Sequence, residues 1–461
     1  MKRPKEVEMN DAPKTRQISE TMEKCPQLAE DGFDPGKAQT VVCRLYGISR
    51  VLENLKNAVT LVHGPKGCAN YLQTEALCIN RKLGPILSSD TRETDIILGT
   101  EDRLREALRE AVEIYHPEII TVLTTCATDI IAEDTARVVE EMSDQLGVKV
   151  FFKSGGGFIA AYDQGYYDGY EILVSGLMEK PTQRKKDHVN LIGDVRPGGS
   201  DRHELVRLIE ALGLKFHMNL IAGLTPDEIR KSQEAELNIA KCNPTALRTV
   251  QLIEHRFGTP FLAPANPVGI RWTTNWVMEL ARFFGREEKA KRLVDSEISQ
   301  LQPTLKWAKR SLGGKKVAIA SGPGKLPGLT ALAIELGMDV TFCYSHTYTK
   351  DTDEFLKQTL EGYSGKPKIM WEYGSGYLLE KALREVDMDL YIGSDVEKGF
   401  LYKRGIPVTC IMCYSMPYFG FRGVKKLTEH IERIVNNPIR SLAARVCKEE
   451  KARWRGKASN N

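Results

Sequence analysis

The sequence predicts an α/β fold of three Rossmann-like domains, each a mostly parallel sheet flanked by helices. The chain has 461 residues, and at about 150 residues per domain this length accommodates three cores. Short β-branched runs that end in Gly, Ser or Cys each precede a helical pattern, which is typical of parallel βα units. These runs cover Ile119–Thr125, Val189–Gly193, Val317–Ser321 and Leu390–Ser394. Because ligands bind at the carboxyl ends of such strands, we expect a site in the crevice between the domains.

Shifts in composition divide the chain into four segments. Residues 1–35 are rich in Lys, Glu, Asp and Pro, and we expect them to form a flexible N-terminal arm. The polar stretch 180–187 precedes an apolar strand that begins at Val189, which places the first boundary near residue 188. A charged helical pattern ends at Gly313-Gly314, which places the second boundary near residue 312. We therefore expect domain I at 36–188, domain II at 189–312 and domain III at 313–461.

The charges of the chain argue against a nucleic-acid partner. The 65 Lys and Arg residues nearly balance the 61 Asp and Glu residues, and no basic stripe stands out. A membrane helix needs about 18 consecutive uncharged apolar residues, and the sequence contains no such run. The first 35 residues also lack the apolar region of a secretory signal. We therefore expect a cytoplasmic protein that binds neither nucleic acid nor a membrane.

Three of the ten cysteines stand at predicted turns. Cys43 lies in VVCRLYG, Cys68 closes HGPKGC, and Cys126 ends the strand TVLTTC. A thiolate at such a place is stabilised by backbone N–H groups and helix N-termini, and can bind iron. Ten cysteines are too few for a disulfide scaffold in a chain of this length. Spacings of 25 and 58 residues match no local metal motif, so burial of each thiol in the core remains the alternative.

Several motifs, in chain order, closely resemble α-type subunits of the nitrogenase component 1 superfamily. They are VVCRLYG, LVHGPKGC, SSDTRETDIILGTEDRL and TTCATDIIAED, followed by NLIGDVRPGG, LNIAKC, ELGMDV, YIGSDVEKGF, RGIPV and PYFGFRG. The resemblance implies an oxidoreductase in which Cys43, Cys68 and Cys126 bind an interface Fe–S cluster, either a P-cluster or a simpler 4Fe–4S cluster. It also implies a homologous β subunit that completes this cluster in an α2β2 heterotetramer. The implied electron donor is an ATP-dependent 4Fe–4S reductase homodimer.

The resemblance also implies a larger iron–sulfur cluster at Cys242. This residue matches the cysteine that binds one end of the large cofactor in the family's catalytic and scaffold subunits, and it ends the apolar strand LNIAKC. Molybdenum nitrogenase has a terminal histidine ligand where this chain reads VTCIMCYSMPYFGF, with Cys410 and Cys413. A thiolate from either residue is softer and favours iron over molybdenum, which predicts an all-iron cluster. The alternative is that both are buried core cysteines.

Four residues take the place of the nitrogenase residues that contact cofactor and substrate. In KSGGGFIAAYDQGYYDGY, this chain has Asp163, Gln164, Tyr166 and Tyr167 where the resemblance would place a glutamine and a proton-donating histidine. A phenol is a weaker acid than imidazolium but can still donate a hydrogen bond or a proton. We therefore expect the proton source among these side chains.

Two further motifs have predicted supporting roles. The loop SGPGK, with Gly322, Gly324 and Lys325, lacks the Ser or Thr that a phosphate loop needs for magnesium, so we expect its glycines to let the backbone approach the cofactor. His63 is expected to orient the turn that carries Cys68. Three acidic residues are expected to complement the dipole of the helix after Cys126, namely Asp129, Glu133 and Asp134.

The residues that depart from nitrogenase suggest the reaction. A chain that lacks these histidines but keeps Cys242 most closely resembles the methylthio-alkane reductase group, which cleaves C–S bonds reductively. The first prediction is therefore the catalytic subunit of a nitrogenase-like reductase. The main alternative is a scaffold subunit for cofactor assembly, which also keeps the four cysteines. A tetrapyrrole reductase needs no ligand at Cys242 and is less favoured, and a true nitrogenase is a further alternative.

Overall fold

Three parallel sheets organise the chain, as the sequence predicts. The computed structural model describes residues 43–53, 55–78, 84–160, 162–193, 199–220, 223–241, 243–371, 376–394, 397–411 and 417–437. Every strand pair in these ranges is parallel, and helices precede or follow each strand. The α/β class with three Rossmann-like sheets is therefore confirmed. The expected N-terminal arm lies outside the described residues.

The first sheet has the strand order β2-β1-β3-β4. Strand β3 (Ile119–Thr124) is buried along its whole length, because helices cover both faces of the sheet. The elements in chain order are α1 Arg44–Leu52, β1 Ala58–His63, α2 Lys66–Cys78, β2 Ile86–Ser88, α3 Glu93–Leu98, α4 Glu101–Tyr115, β3, α5 Cys126–Ile131, α6 Thr135–Leu146, β4 Lys149–Lys153 and α7 Tyr162–Gly176.

The second sheet has the order β6-β5-β7-β8. Two long helices follow it and lead to the third sheet. The elements are β5 Lys185–Ile192, α8 Ser200–Ala211, β6 Lys215–Asn219, α9 Pro226–Arg230, a 3-10 turn Lys231–Glu234, β7 Ala235–Ala240, α10 Asn243–Phe257, β8 Phe261–Leu262, α11 Gly269–Phe283 and α12 Glu287–Leu312.

The third sheet has the order β11-β10-β9-β12-β13. Its first strand, β9, lies at the centre, so the chain adds strands first on one side and then on the other. The elements are β9 Lys316–Ala320, α13 Leu326–Glu335, β10 Asp339–Ser345, α14 Lys350–Leu360, β11 Lys368–Trp371, α15 Gly376–Glu385, β12 Leu390–Gly393, α16 Lys398–Lys403, β13 Val408–Cys410 and α17 Gly420–Val435.

The three sheets share their hydrophobic cores. One core joins the second and third sheets and includes Leu191, Leu237 and Ile319. Another joins the first and second sheets, with Ile48 of α1 and Val250 of α10 in the same buried cluster. Each Å² of apolar area that is buried stabilises the fold by about 25 cal/mol. The shared cores therefore fix how the sheets sit relative to one another. The predicted domain limits themselves remain a prediction.

Strand β5 begins earlier than the sequence predicts. It starts at Lys185 and not at Val189, so a boundary at residue 188 falls inside the strand. Lys185 pairs with Ala235 of β7, and its ammonium binds the Glu234 carboxylate at 2.6 Å. These residues are polar because they form the exposed amino end of the strand. By composition alone, this end of the strand therefore resembles a linker. In the part of the chain described, no helix is long and apolar enough to cross a membrane.

Candidate metal centre and the adjoining crevice

Three cysteines come together on one side of the first sheet. Cys43 caps the N-terminus of α1, Cys68 lies in the first turn of α2, and Cys126 begins α5. The Gly157 N–H donates to Cys126 Sγ at 3.2 Å, and a Cβ on this glycine would be 2.9 Å from the Cys43 Cβ. Burial raises the pKa of Cys68, and the charges of the other two thiolates raise it further. The predicted trio is therefore close in space.

The trio is partly open to solvent. Cys126 is exposed, whereas Cys43 and Cys68 are half-buried. A single tetrahedral ion with bonds of about 2.3 Å needs sulfurs about 3.8 Å apart. Among the described residues, no group of three or more His, Cys, Asp or Glu side chains is arranged to bind one metal ion. The three thiols are therefore not arranged as the ligands of a single ion.

A carboxylate fixes the loop 154–157, which lies over Cys43 and Cys126. Asp129 Oδ2 accepts hydrogen bonds from the Gly156 N–H and the Ser154 hydroxyl, both at 2.7 Å. Its Oδ1 accepts from the Thr124 hydroxyl at 2.5 Å. The loop is thereby tied to the carboxyl end of β3 and to α5 at the same time.

The glycines of this loop are required by the lack of space around them. A Cβ on Gly155 would overlap the Thr124 carbonyl oxygen, and a Cβ on Gly156 would be 2.5 Å from Asp129 Oδ2. The Leu45 N–H donates to the Gly155 carbonyl at 2.9 Å, which ties the loop to α1. The motif SGGG, residues 154–157, is where the sequence carries this feature. A run of three glycines after a strand is the signal that could have revealed it.

The predicted role of the acidic residues after Cys126 is wrong for two of the three. Helix α5 ends at Ile131, before Glu133 and Asp134. Glu133 accepts from the Thr100 N–H at 2.7 Å and from the Thr100 hydroxyl. Asp134 caps the next helix, α6, where it accepts from the Arg137 N–H at 3.1 Å. Glu133 therefore binds Thr100, 33 residues earlier in the chain, and Asp134 lies at the N-terminus of the next helix, α6.

His63 has the structural position that the sequence predicts. It ends β1 and is buried, with Nδ1 2.9 Å from Ser89 Oγ and Nε2 3.0 Å from Thr100 Oγ1. Burial lowers the pKa of His63 to about 4 against the opposing effect of nearby carboxylates. Ser89 Oγ also accepts from the Gly64 N–H at 3.1 Å. The neutral imidazole therefore supports the turn that leads to Cys68.

Exposed apolar side chains lie on the elements around these cysteines. Helix α3 contacts α5 and buries none of its own residues. Its Ile97 and Leu98 are 81% and 86% exposed, Ile130 of α5 is 71% exposed, and Phe158 beside the glycine loop is 61% exposed. We call these four residues the apolar rim. Exposed apolar side chains of this size are typical of surfaces that contact another protein.

Helices α1 and α7 pack closely because glycines line their contact. A Cβ on Gly47 of α1 would overlap the Tyr162 carbonyl oxygen, and a Cβ on Gly165 of α7 would overlap the Arg44 carbonyl oxygen. The first turn of α7, which carries Asp163 and Gln164, therefore lies beside the start of α1. This contact connects the thiol site to the crevice.

Gln164 is part of a polar network between helices. Its Nε2 donates to Asp168 Oδ1 at 2.7 Å, and its Oε1 accepts from Arg248 of α10 at 2.9 Å. Asp168 Oδ2 accepts from Arg44 Nε at 2.6 Å. The Arg248 guanidinium also lies 4.0 Å from the centre of the Tyr167 ring. Both ends of the Gln164 amide are thus engaged.

The other predicted residues of α7 differ strongly in environment. Tyr166 is fully buried and packs edge-on against Tyr170, with ring centres 5.3 Å apart. Tyr167 is half-buried, and burial is the main reason that its pKa is raised. Burial raises the pKa of Asp163 to about 6, although a hydrogen bond with the Thr347 side chain opposes this rise. Asp163 thus connects α7 to the third sheet.

The predicted residues of the third sheet lie at its carboxyl edge. Gly322 and Gly324 follow β9, and the Gly324 carbonyl accepts from Asn266 Nδ2 at 2.7 Å. Lys325 Nζ is 4.4 Å from the centre of the Tyr418 ring. Cys410 ends β13 and is half-buried. Cys242 and Cys413 lie outside the described residues.

Sequence reasoning missed His346 and Thr347, which follow β10 at the same edge. The His346 ring lies next to Gly322, and its Nδ1 is 2.9 Å from Thr347 Oγ1. The available signal was their position, because polar residues directly after a buried parallel strand lie where ligands bind.

Comparisons with known proteins agree with the fold and the motifs. The family model for nitrogenase component 1 type oxidoreductases matches residues 43–436. The chain is 29% identical to the nitrogenase iron-molybdenum cofactor biosynthesis protein NifE of Clostridium pasteurianum, over 88% of this chain and 89% of that protein. It is 27% identical to the nitrogenase molybdenum-iron protein alpha chain of Methanothermobacter marburgensis, over 88% and 90% of the two chains.

A solved structure has the same fold. The structure titled nitrogenase Cp1 at pH 6.5 superposes with a TM-score of 0.77 at 20% identity, over 89% of this chain and 91% of that chain. The predicted resemblance and the α-type assignment are confirmed by these matches. The chain belongs to the family of nitrogenase component 1 type oxidoreductases.

Proposed function

We propose that the chain is the α subunit of a nitrogenase-like reductase in which Cys43, Cys68 and Cys126 bind one half of an iron–sulfur cluster. The observation that carries the proposal is the convergence of three thiols from three separate segments at a partly exposed site. Structural cysteines are inert buried residues that need not converge, whereas cluster ligands must. The family binds iron–sulfur clusters, which supply one-electron oxidation and reduction.

The other half of this site would come from a homologous β subunit. Three thiols from one chain leave a cluster incomplete, and the exposed Cys126 is where further ligands could approach. The apolar rim, with Leu98 86% exposed, supplies the contact area such a partner needs. We propose an α2β2 assembly that receives electrons from an ATP-dependent 4Fe–4S reductase homodimer.

We propose that the substrate is reduced in the crevice, at a larger all-iron cluster bound by Cys242 and by Cys410 or Cys413. The half-buried Cys410 at the carboxyl edge of the third sheet supports this, because ligands of parallel sheets bind at that edge. The proposed reaction is the cleavage of R–S–CH3 to R–H and methanethiol. It consumes two electrons and two protons.

Side chains of α7 would supply or position these protons. Asp163 has a pKa of about 6, close to the value that suits proton exchange at neutral pH. Tyr167 keeps its proton because its pKa is raised, and it can donate a hydrogen bond. Gln164 is oriented by Arg248, and the buried Tyr166 packs beneath this surface. Gly322, Gly324 and Lys325 would form the backbone and cationic wall of the crevice.

A scaffold subunit for cofactor assembly is the second candidate. The relatives include a cofactor biosynthesis protein at 29% identity and a nitrogenase alpha chain at 27%, and this small difference does not separate the two roles. A reductase must turn over substrate with ATP and its electron donor. A scaffold instead releases its cluster to another protein.

An iron count tests the cluster proposal. The chain is purified anaerobically with its partner subunit, and the iron content and EPR spectrum are compared for wild type, Cys126→Ala and Cys343→Ala. Cys343 is fully buried in the third sheet next to Thr330, so its loss controls for removal of a thiol as such. We expect Cys126→Ala to lose the interface signal and Cys343→Ala to keep it. Wild-type iron in Cys126→Ala would refute the interface assignment.

Turnover then separates the two candidates. ATP-dependent release of methanethiol from a methylthio-alkane, in the presence of the reductase, supports the catalytic role. Transfer of iron to an apo-nitrogenase without such turnover supports the scaffold role.

A further inference from the structure

Two backbone N–H groups of the loop 154–157 donate to side-chain oxygens at the turn between β3 and α5. The Gly155 N–H donates to Thr124 Oγ1 at 3.2 Å, and the Gly156 N–H donates to Asp129 Oδ2 at 2.7 Å. The two acceptors are themselves joined, because the Thr124 hydroxyl donates to Asp129 Oδ1 at 2.5 Å. Both glycines are buried, so water does not replace these acceptors. The loop is therefore held in one orientation.

The next N–H along the loop donates to a thiol. The Gly157 N–H lies 3.2 Å from Cys126 Sγ and continues the series that begins at Gly155. Glycine is needed here, since a Cβ at this position would be only 2.9 Å from the Cys43 Cβ. The loop thus places a backbone donor beside two of the three cysteines.

A hydrogen bond to a ligand sulfur favours the reduced form of an iron–sulfur cluster. Reduction makes the sulfurs more negative, so an N–H donor stabilises the reduced form more than the oxidised form and raises the reduction potential. A backbone N–H carries no net charge and keeps its proton at neutral pH. Its effect therefore depends on where the backbone is held.

We propose that the Gly157 N–H raises the reduction potential of the cluster bound at Cys126, and that Thr124 and Asp129 are the residues that position this donor. The inference rests on the proposed function, because it requires a cluster at the three cysteines. In the step concerned, one electron passes from the ATP-dependent reductase to the cluster, and no bond forms or breaks. The loop 154–157 thus adjusts how readily this chain accepts the electron.

A redox titration of the anaerobic complex, followed by EPR, tests the proposal. In Thr124→Val the Gly155 N–H loses its acceptor and Asp129 loses one donor, and no charge changes. We expect the loop to move away from Cys126. The ratio of reduced to oxidised interface cluster at a fixed potential should then fall about tenfold, which is about 59 mV for one electron. Thr124→Ser keeps the hydroxyl and should have the wild-type potential.

A milder variant keeps the test decisive if Thr124→Val does not retain its iron. The half-buried Ser154 donates to Asp129 Oδ2 at 2.7 Å, so Ser154→Ala removes one hydrogen bond that holds the loop and leaves both glycine N–H acceptors in place. We expect a smaller fall of the reduced-to-oxidised ratio in the same direction. Circular dichroism shows whether each variant folds as the wild type does.

Isotope labelling identifies the donor. The complex is purified from cells supplied with 15N-glycine, poised in its paramagnetic state, and compared with the unlabelled complex by pulsed EPR. We expect a nitrogen hyperfine coupling that the label changes. In Gly157→Ala the donor nitrogen comes from alanine, so the label should no longer change this coupling. Gly67→Ala is the control beside Cys68, where a Cβ meets no atom within 4 Å, and the effect of the label should persist.

The outcomes separate this inference from the proposed function. A wild-type complex that contains interface iron but shows no coupling to a glycine nitrogen would overturn the inference alone. A label effect that persists in Gly157→Ala, or a wild-type potential in both Thr124→Val and Ser154→Ala, would do the same. If the wild-type complex binds no iron at the three cysteines, the proposed function fails and the inference fails with it.

Discussion

Replacing Asp129 by alanine is expected to free the loop 154–157 and to release iron from the thiol site. The carboxylate accepts three hydrogen bonds, from Gly156 N–H, Ser154 Oγ and Thr124 Oγ1. Gly156 is buried, and a buried N–H without an acceptor costs about 1–3 kcal/mol. The two hydroxyl groups add about 1 kcal/mol each. The expected loss of local stability is therefore about 3–5 kcal/mol.

Hydrogen exchange measures this loss directly. A change of 1.36 kcal/mol is tenfold in an equilibrium constant, so amides of residues 154–157 should exchange more than about 100-fold faster in Asp129→Ala than in wild type. In Asp129→Asn the amide oxygen can still accept from Gly156 and Ser154, and the Thr124 hydroxyl can turn to accept from the amide NH2. We expect a cost of about 1–2 kcal/mol in that variant.

A matched control removes the same charge elsewhere in the domain. Asp144 is exposed on α6, so Asp144→Asn should change local stability by less than about 0.5 kcal/mol. Iron content of the anaerobic complex is measured alongside. If Asp129→Ala exchanges at the wild-type rate and retains its iron, the argument that this carboxylate fixes the cysteine turns is refuted.

Three other predictions follow from the described contacts. His63 has a pKa of about 4 in the folded chain against 6.5 when unfolded, so the unfolded state gains the proton first as pH falls. The difference in free energy of unfolding between wild type and His63→Gln should therefore shrink by about 3 kcal/mol from pH 6.5 to pH 4. Urea unfolding at each pH measures it, and a difference that does not change with pH would contradict a buried neutral ring. Leu98→Asp should abolish co-purification of the partner without changing the melting temperature. Ile114 is also exposed but lies outside the apolar rim, so Ile114→Asp should leave co-purification unchanged. If both variants co-purify with the partner equally well, the apolar rim is not the interface. Gln164→Leu removes the amide donor that binds the buried Asp168 carboxylate at 2.7 Å and should lower stability by about 1–3 kcal/mol, and an unchanged thermal transition would show that this network is dispensable.

Local sequence patterns were sufficient for the fold class, whereas the cysteine trio was assigned through the family resemblance. The β-branched run Ile119–Thr124 forms a buried strand as expected, because such residues pack well in a sheet covered on both faces. Cys126 follows that strand directly, and its place at a turn follows from the same pattern. The start of β5 at Lys185 was missed because its polar residues are satisfied by partners far along the chain, such as Glu234.

The site depends more on contacts that the sequence does not display. Asp129 is an ordinary polar residue in the sequence, and it gains its role from neighbours on other elements. Asp129 binds a loop 25 or more residues away, and Asp163 reaches Thr347, which follows β10 of the third sheet. No periodicity or spacing encodes such pairs.

The sequence by itself therefore determined which strands and helices form, and that thiols and glycines stand at their ends. Parallel strands place those ends along one edge of each sheet, which is a local consequence of βα order. Only the tertiary structure decided which ends meet. That outcome depends on the shared cores that orient the three sheets and on the glycine contacts that let α1 approach α7. The stabilising energy of both features comes from packing between segments that are far apart in the chain.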